Sequence, residues 1–122
     1  MNILIASWTI NVKTVSEANC SEHWTKKSKR HKQQQLFVRL AFMGFKGIFK
    51  LPCRVALTRL ANRSLDEGDN LPMAFKYIRD EIAECMVGEG KAKGQADSHP
   101  DIKWEYNQEK RVIPGFRIDI FA

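Results

Sequence analysis

No apolar run in this sequence approaches the roughly 18 residues that a membrane-crossing helix needs, so no span is expected. The first twelve residues, Met1 to Val12, lack the cationic head and small-residue cleavage site of a secretory signal, which points to a cytoplasmic protein. Cysteine is scarce too: Cys20, Cys53 and Cys85 are odd in number and widely spaced. They form neither a disulfide framework nor a Cys-x-x-Cys knuckle, and reduced thiols are expected. Cys20, His23 and His31 lack a fourth zinc ligand at any usual spacing. With 7 Gly and 4 Pro there is no long linker, and residues 1–122 read as a single domain. The chain also has no G-x-S-x-G elbow, Walker loop, G-x-G-x-x-G turn or EF-hand spacing.

Negative charge is nearly missing from one half. Residues 1–60 carry 11 Lys/Arg against 2 Asp/Glu, a net +9, whereas residues 61–122 carry 9 against 12, a net −3. A basic half attracts phosphate. Metal-bridged carboxylates facing a phosphate backbone would explain an acidic half beside it, although two solvated faces of unequal charge would look the same.

The hydrophobic pattern predicts the order β-α-β-α-β-β, a mixed α/β (α+β) fold with a small mixed sheet packed by two helices. Asn2 to Ile10 reads as a strand. A helix is expected within Ser21–Met43, with Phe37, Leu40 and Ala41 on its apolar stripe, Leu36 and Met43 beside it, and Gly44 and Gly47 ending it. Cys53 to Leu60 alternates as a half-buried strand, Val55 and Leu57 pointing one way, Arg54 and Thr58 the other. A second helix over Leu71–Met86 has the seam Leu71, Phe75, Ile78, Ile82 and Cys85, with Asp69 or Asn70 as cap and Pro72 in its first turn. Ile102, Trp104 and Tyr106 alternate with polar residues, as do Phe116, Ile118 and Ile120. These make two strands joined through a turn at Pro114-Gly115.

Four features carry chemistry. Asp66, Glu67 and Asp69 place three carboxylates in four residues at a helix N-terminus, where anions are favoured and hard, oxygen-seeking Mg²⁺ can relieve their repulsion. One of them can instead simply cap the helix. At about 100° per residue, Asp69, Lys76 and Asp80 share a helical face, so Lys76 could steady a scissile phosphate. Asp97 and Asp101 flank His99-Pro100 ahead of the next strand. Lys26, Lys27, Lys29, Arg30 and Lys32 are five cations in seven residues, suited to phosphate contacts, and Trp24 ahead of them could stack on an unpaired base.

The stretch Leu65-Asp66-Glu67-Gly68-Asp69-Asn70-Leu71 resembles the Asp-x-Asp-Asn-Leu signature of the RusA Holliday junction resolvases. Lys76, Arg79-Asp80, Asn19 to Trp24, and Pro100 to Gln108 with its Trp-x-Tyr-x-Gln pattern are similar to a phage-borne branch of that family. The resemblance runs from about residue 19 to the C-terminus. It implies a homodimeric, Mg²⁺-dependent endodeoxyribonuclease that nicks four-way junctions in recombination, repair or phage DNA processing. Asp69 matches the second signature Asp, and Glu67 stands in the place of the first, with Asp66 one residue away. Asp97 matches the second member of a later Asp pair. Ala96 occupies the first place of that pair, and Met73 stands where the family has a lysine, with Lys76 about a turn further on. The implied metal set is therefore Asp66 or Glu67 with Asp69 and Asp97, and the partner is branched DNA. A RusA-like protein that binds DNA without cutting it is the alternative. For the dimer, Ile102–Asn107 or Phe116–Phe121 are the candidate pairing edges.

Overall fold

The computed structural model describes residues 2–17, 21–45, 47, 49–66, 68, 70–87 and 98–122. Its elements follow in the order β1 (Leu4–Ile10), α1 (Trp24–Met43), β2 (Cys53–Ala61), α2 (Asn70–Ala74), α3 (Lys76–Val87), β3 (Ile102–Lys110) and β4 (Gly115–Phe121). The fold is mixed α+β, as the periodicities predict. The predicted second helix is divided at Phe75, whose N–H bonds the carbonyl of Pro72 at 3.0 Å, three residues back. That tighter turn carries the fully buried Phe75 ring to Tyr106 and Phe116. Regular bonding resumes with Arg79 N–H to the Phe75 carbonyl at 2.8 Å.

The four strands form one sheet in the order β1-β4-β2-β3. β2 runs parallel to β3, with the helical segment α2–α3 in the crossover between them, and antiparallel to β4. β3 and β4 are therefore consecutive in sequence without being neighbours. The segment after Pro114 leads into a strand on the far side of β2, not into a hairpin. This also makes β4 an interior strand and removes Phe116–Phe121 as a pairing edge; β1 and β3 are the open edges. β2 is more deeply set than its alternation implies. It is hydrogen-bonded on both sides, and even Thr58 is buried.

Register puts Cys53, Val55 and Leu57 on the same face as Phe116, Ile118, Ile120 and Ile102, and this face carries the core with Leu71, Phe75, Ile78 and Ile82 from the helices. Burying each such side chain stabilises the fold by about 1.5–3 kcal/mol. The opposite face is polar and ion-paired. Arg54 bonds Glu105 at 2.8 Å and lies over the Phe121 ring, while Arg117 bonds Glu109 at 2.8 Å and Asp119 at 3.1 Å. At the start of β4, Gly115 is required by close approach: a Cβ there would lie 2.5 Å from the Ile10 carbonyl oxygen. The two ends of the described chain are joined as well, Ile3 and Ala122 exchanging N–H···O bonds of 3.3 and 2.9 Å.

Helix α1 corrects the sequence reading. Its buried residues are Arg30, Gln34, Val38 and Phe42, a strict four-residue spacing, with Ala41 partly covered. Phe42 packs on Trp8 of β1 at 4.8 Å between ring centroids, and the Gln34 amide donates to the Lys13 carbonyl at 3.1 Å. Leu36, Phe37, Leu40 and Met43, the expected apolar stripe, are exposed. The outward face carries more large apolar residues, Leu36, Phe37, Leu40 and Met43 against Val38 and Phe42, so periodicity favours it, and the buried Arg30 and Gln34 disguise the inner one.

Two substitutions distinguish these faces. Phe42→Ala is expected to cost about 3–5 kcal/mol in denaturant unfolding, and Leu40→Ala no more than about 0.5 kcal/mol. A larger loss for Leu40→Ala than for Phe42→Ala would return α1 to the orientation its sequence implied.

Candidate functional site

The acidic signature sits where β2 gives way to α2. Asp66 closes the first turn: its backbone carbonyl accepts the Leu71 N–H at 2.9 Å, and its carboxylate accepts the Asn70 N–H at 3.4 Å and the Asn70 side-chain amide. The acceptor at the start of this helix therefore comes from four residues upstream, not from Asn70 itself. Asn70 is held in turn by the Ser16 hydroxyl, which donates to its side-chain carbonyl. Glu67, Asp69 and Asp97 lie outside the described residues. Among the described residues no group of three or more His, Cys, Asp or Glu converges.

Edge strand β3 holds this loop from the other side. Gln108 clamps Leu65 through both backbone groups, accepting its N–H at 2.9 Å and donating to its carbonyl at 2.7 Å. Two residues back along β3 the Tyr106 hydroxyl accepts from Arg79 at 2.9 Å, and two further back the Trp104 ring lies 4.7 Å beneath the Arg79 guanidinium. The alternation of a strand puts all three on the face that meets α3 and the acidic loop. The Trp-x-Tyr-x-Gln pattern is thus a row of supports for that loop and helix. Lys76 is exposed at the start of α3, its ammonium 5.4 Å from the Tyr77 ring. Counting 100° per residue from Asp69 to Lys76 assumes an unbroken helix, and the turn at Phe75 interrupts it.

The basic run separates into two parts. Lys26, Lys29 and Lys32 are exposed, Lys27 is half-buried, and Trp24 is 71% exposed at the head of α1. Arg30 is not part of this outward surface. It is turned inward at 9% side-chain exposure, its guanidinium bonded to both Glu17 carboxylate oxygens at 2.9 Å and to Glu22. Burial alone would lower its pKa, but the two carboxylates more than offset this and hold Arg30 above the usual arginine value. The assignment of Arg30 to phosphate contact is therefore corrected to a structural one. Glu17 and Glu22 are the only acids in the first 60 residues, which was the available signal for this pairing.

Glu17 has a second partner. His31 Nε2 donates to it at 3.0 Å, and the imidazole stacks on Tyr77 of α3 at 3.7 Å between centroids. A chain of contacts thus runs from Asp66 through Asn70 to Ser16, and from the adjacent Glu17 into α1 and across to α3. His99 serves a local turn, its Nδ1 accepting the Asp101 N–H at 3.1 Å. Neither described thiol is poised for chemistry: burial raises Cys53, and burial with the Glu81 charge pushes Cys85 up to about 11.

No helix among the described residues is long and apolar enough to cross a membrane. In comparisons with known proteins, no family model, no curated protein and no solved structure matches this chain.

Glu17→Gln removes the charge that balances Arg30 while keeping shape. It is expected to lower unfolding stability by about 3 kcal/mol, against about 0.5 kcal/mol or less for Lys26→Ala. Chemical denaturation of both variants measures the contrast, and a neutral Glu17→Gln would show that the pair contributes little.

Proposed function

We propose that the chain is a Mg²⁺-dependent, structure-specific endodeoxyribonuclease of RusA type that cuts four-way DNA junctions in recombination, repair or phage DNA processing. The observation that carries this reading is the Gln108–Leu65 clamp. It links the two stretches of the chain whose sequences resemble that family, the acidic signature and the Trp-x-Tyr-x-Gln strand. Leu65, held through both its backbone groups, anchors the entrance to the stretch that carries the carboxylates.

The donor set fits a hard divalent cation, since Asp66, Glu67, Asp69 and Asp97 offer oxygen alone. When bound there, Mg²⁺ supplies a more acidic water and neutralises charge on the phosphate. Lys76, exposed on the first turn of α3, would contact the scissile phosphate in place of the lysine that Met73 replaces. Lys26, Lys27, Lys29 and Lys32 neutralise backbone phosphates along α1, a contribution that is independent of base sequence. Met73 and Ala96, standing in place of family residues, favour the second reading, a RusA-like protein that binds junctions and does not cut them.

Asp69→Asn is expected to abolish Mg²⁺-dependent nicking of a synthetic four-way junction while leaving junction affinity unchanged or slightly tighter, because an amide keeps size but removes a charge beside the phosphates. Glu67→Gln should do less harm, with Asp66 adjacent. Lys26, Lys27 and Lys29 changed together to Ala should weaken binding and flatten its salt dependence by roughly one unit per lost contact. Wild-type rates in Asp69→Asn would refute the metal assignment, and binding without nicking by the native chain would leave the second reading in its place.

Two paired cuts in a two-fold junction call for two active sites, and we propose a homodimer. Light scattering is expected to report twice the 14.1 kDa of one chain at working concentration. A value near one chain would refute the dimer.

A further inference from the structure

The groove between α1 and α3 is a cavity of about 480 Å³, within the range that small planar ligands occupy. Its walls differ in kind. Trp24 stands on one side with most of its ring in water, and Lys27 and Lys32 lie along the same helix. The His31–Tyr77 stack lines it, with rings 3.7 Å apart and 22° from parallel, and Asp80, Glu81 and Glu84 line it from α3, Glu81 being paired with Arg39. The stack is fixed in advance, because Glu17 holds His31 from behind at 3.0 Å and is itself anchored by Arg30. An aromatic surface ordered before binding loses little freedom when a second ring arrives.

From this arrangement we infer that the α1–α3 groove is a nucleobase site, which takes one unpaired base of a DNA strand between Trp24 and the His31–Tyr77 stack. The charges set its orientation. The sugar–phosphate lies toward Lys27 and Lys32, while the carboxylates of Asp80, Glu81 and Glu84 keep phosphate off the α3 wall and offer acceptors to the N–H edge of the base. Stacking of this kind tolerates any base, since each has a π face. The inference rests on the nucleic-acid reading above and adds to it where an unpaired base is held. It requires neither a metal nor cleavage.

Full-length protein titrated with a short single-stranded DNA, and with an abasic strand of equal length and charge, isolates the base contribution. The base-bearing strand should bind about tenfold more tightly. Trp24→Ala should erase that difference without changing the salt slope, Trp24→Phe should keep most of it, and Lys32→Ala should weaken both strands alike. Trp24 is exposed, so these variants fold, and circular dichroism checks this. Equal binding of the two strands by the native chain, a difference that survives Trp24→Ala, or no binding of either strand overturns the site. Junction nicking with Mg²⁺, measured on the same preparation, separates the two proposals. Nicking with no base preference refutes the groove alone, and base preference without nicking refutes the nuclease alone.

Discussion

The carboxylate of Glu17 is the point on which the helical layer turns. An arginine taken out of water is costly unless its charge is met by well-aligned acceptors, and Glu17 meets it with both oxygens. That one requirement fixes several others. Arg30 must face inward, so Gln34, Val38 and Phe42 follow it into the core at four-residue steps. The segment bearing Glu17 must lie against α1, which brings Ser16 to Asn70 and His31 to Tyr77. Apolar side chains could have packed this interface more cheaply. What the ion pair adds is a single rotation for a helix whose outward face is otherwise the more apolar one.

Strand β3 performs the equivalent task for the other half of the molecule. It is an edge strand, with only β2 beside it, and its exposed side carries Lys103, Glu105, Asn107 and Glu109. Glu105 and Glu109 there pair with Arg54 and Arg117 across the sheet. The inward side instead makes three different polar contacts in succession, with an aromatic face, a phenol and an amide. The first two meet Arg79 of α3, and the third holds Leu65 ahead of α2. The parallel pairing of β2 with β3 makes this possible, because both strands point toward the loop where the signature begins.

What could be read from the sequence follows the strength of each local pattern. The seam of Leu71, Phe75, Ile78 and Ile82 and the alternation of Phe116, Ile118 and Ile120 are visible because all their members are apolar and face one core. The orientation of α1 is not visible, since Arg30 and Gln34 look like surface residues until Glu17 and the Lys13 carbonyl are placed beside them. Strand adjacency is likewise non-local: nothing in Arg111 to Pro114 announces that β2 will lie between the strands on either side. For the site, the chemical types were legible but their supports were not. Trp104, Tyr106 and Gln108 stood out as a pattern, while their work of holding Arg79 and Leu65 appears only once β3 lies against the crossover.

The Ile3–Ala122 pairing makes the sheet close to a loop in covalent terms, since the two ends of the described chain meet within hydrogen-bonding distance along one side of the molecule. A few flexible residues could join them without disturbing either strand. The chain could then be reopened at the exposed Val112–Ile113 connection, which would make β4 the first strand synthesised instead of the last while keeping the order of all the other elements.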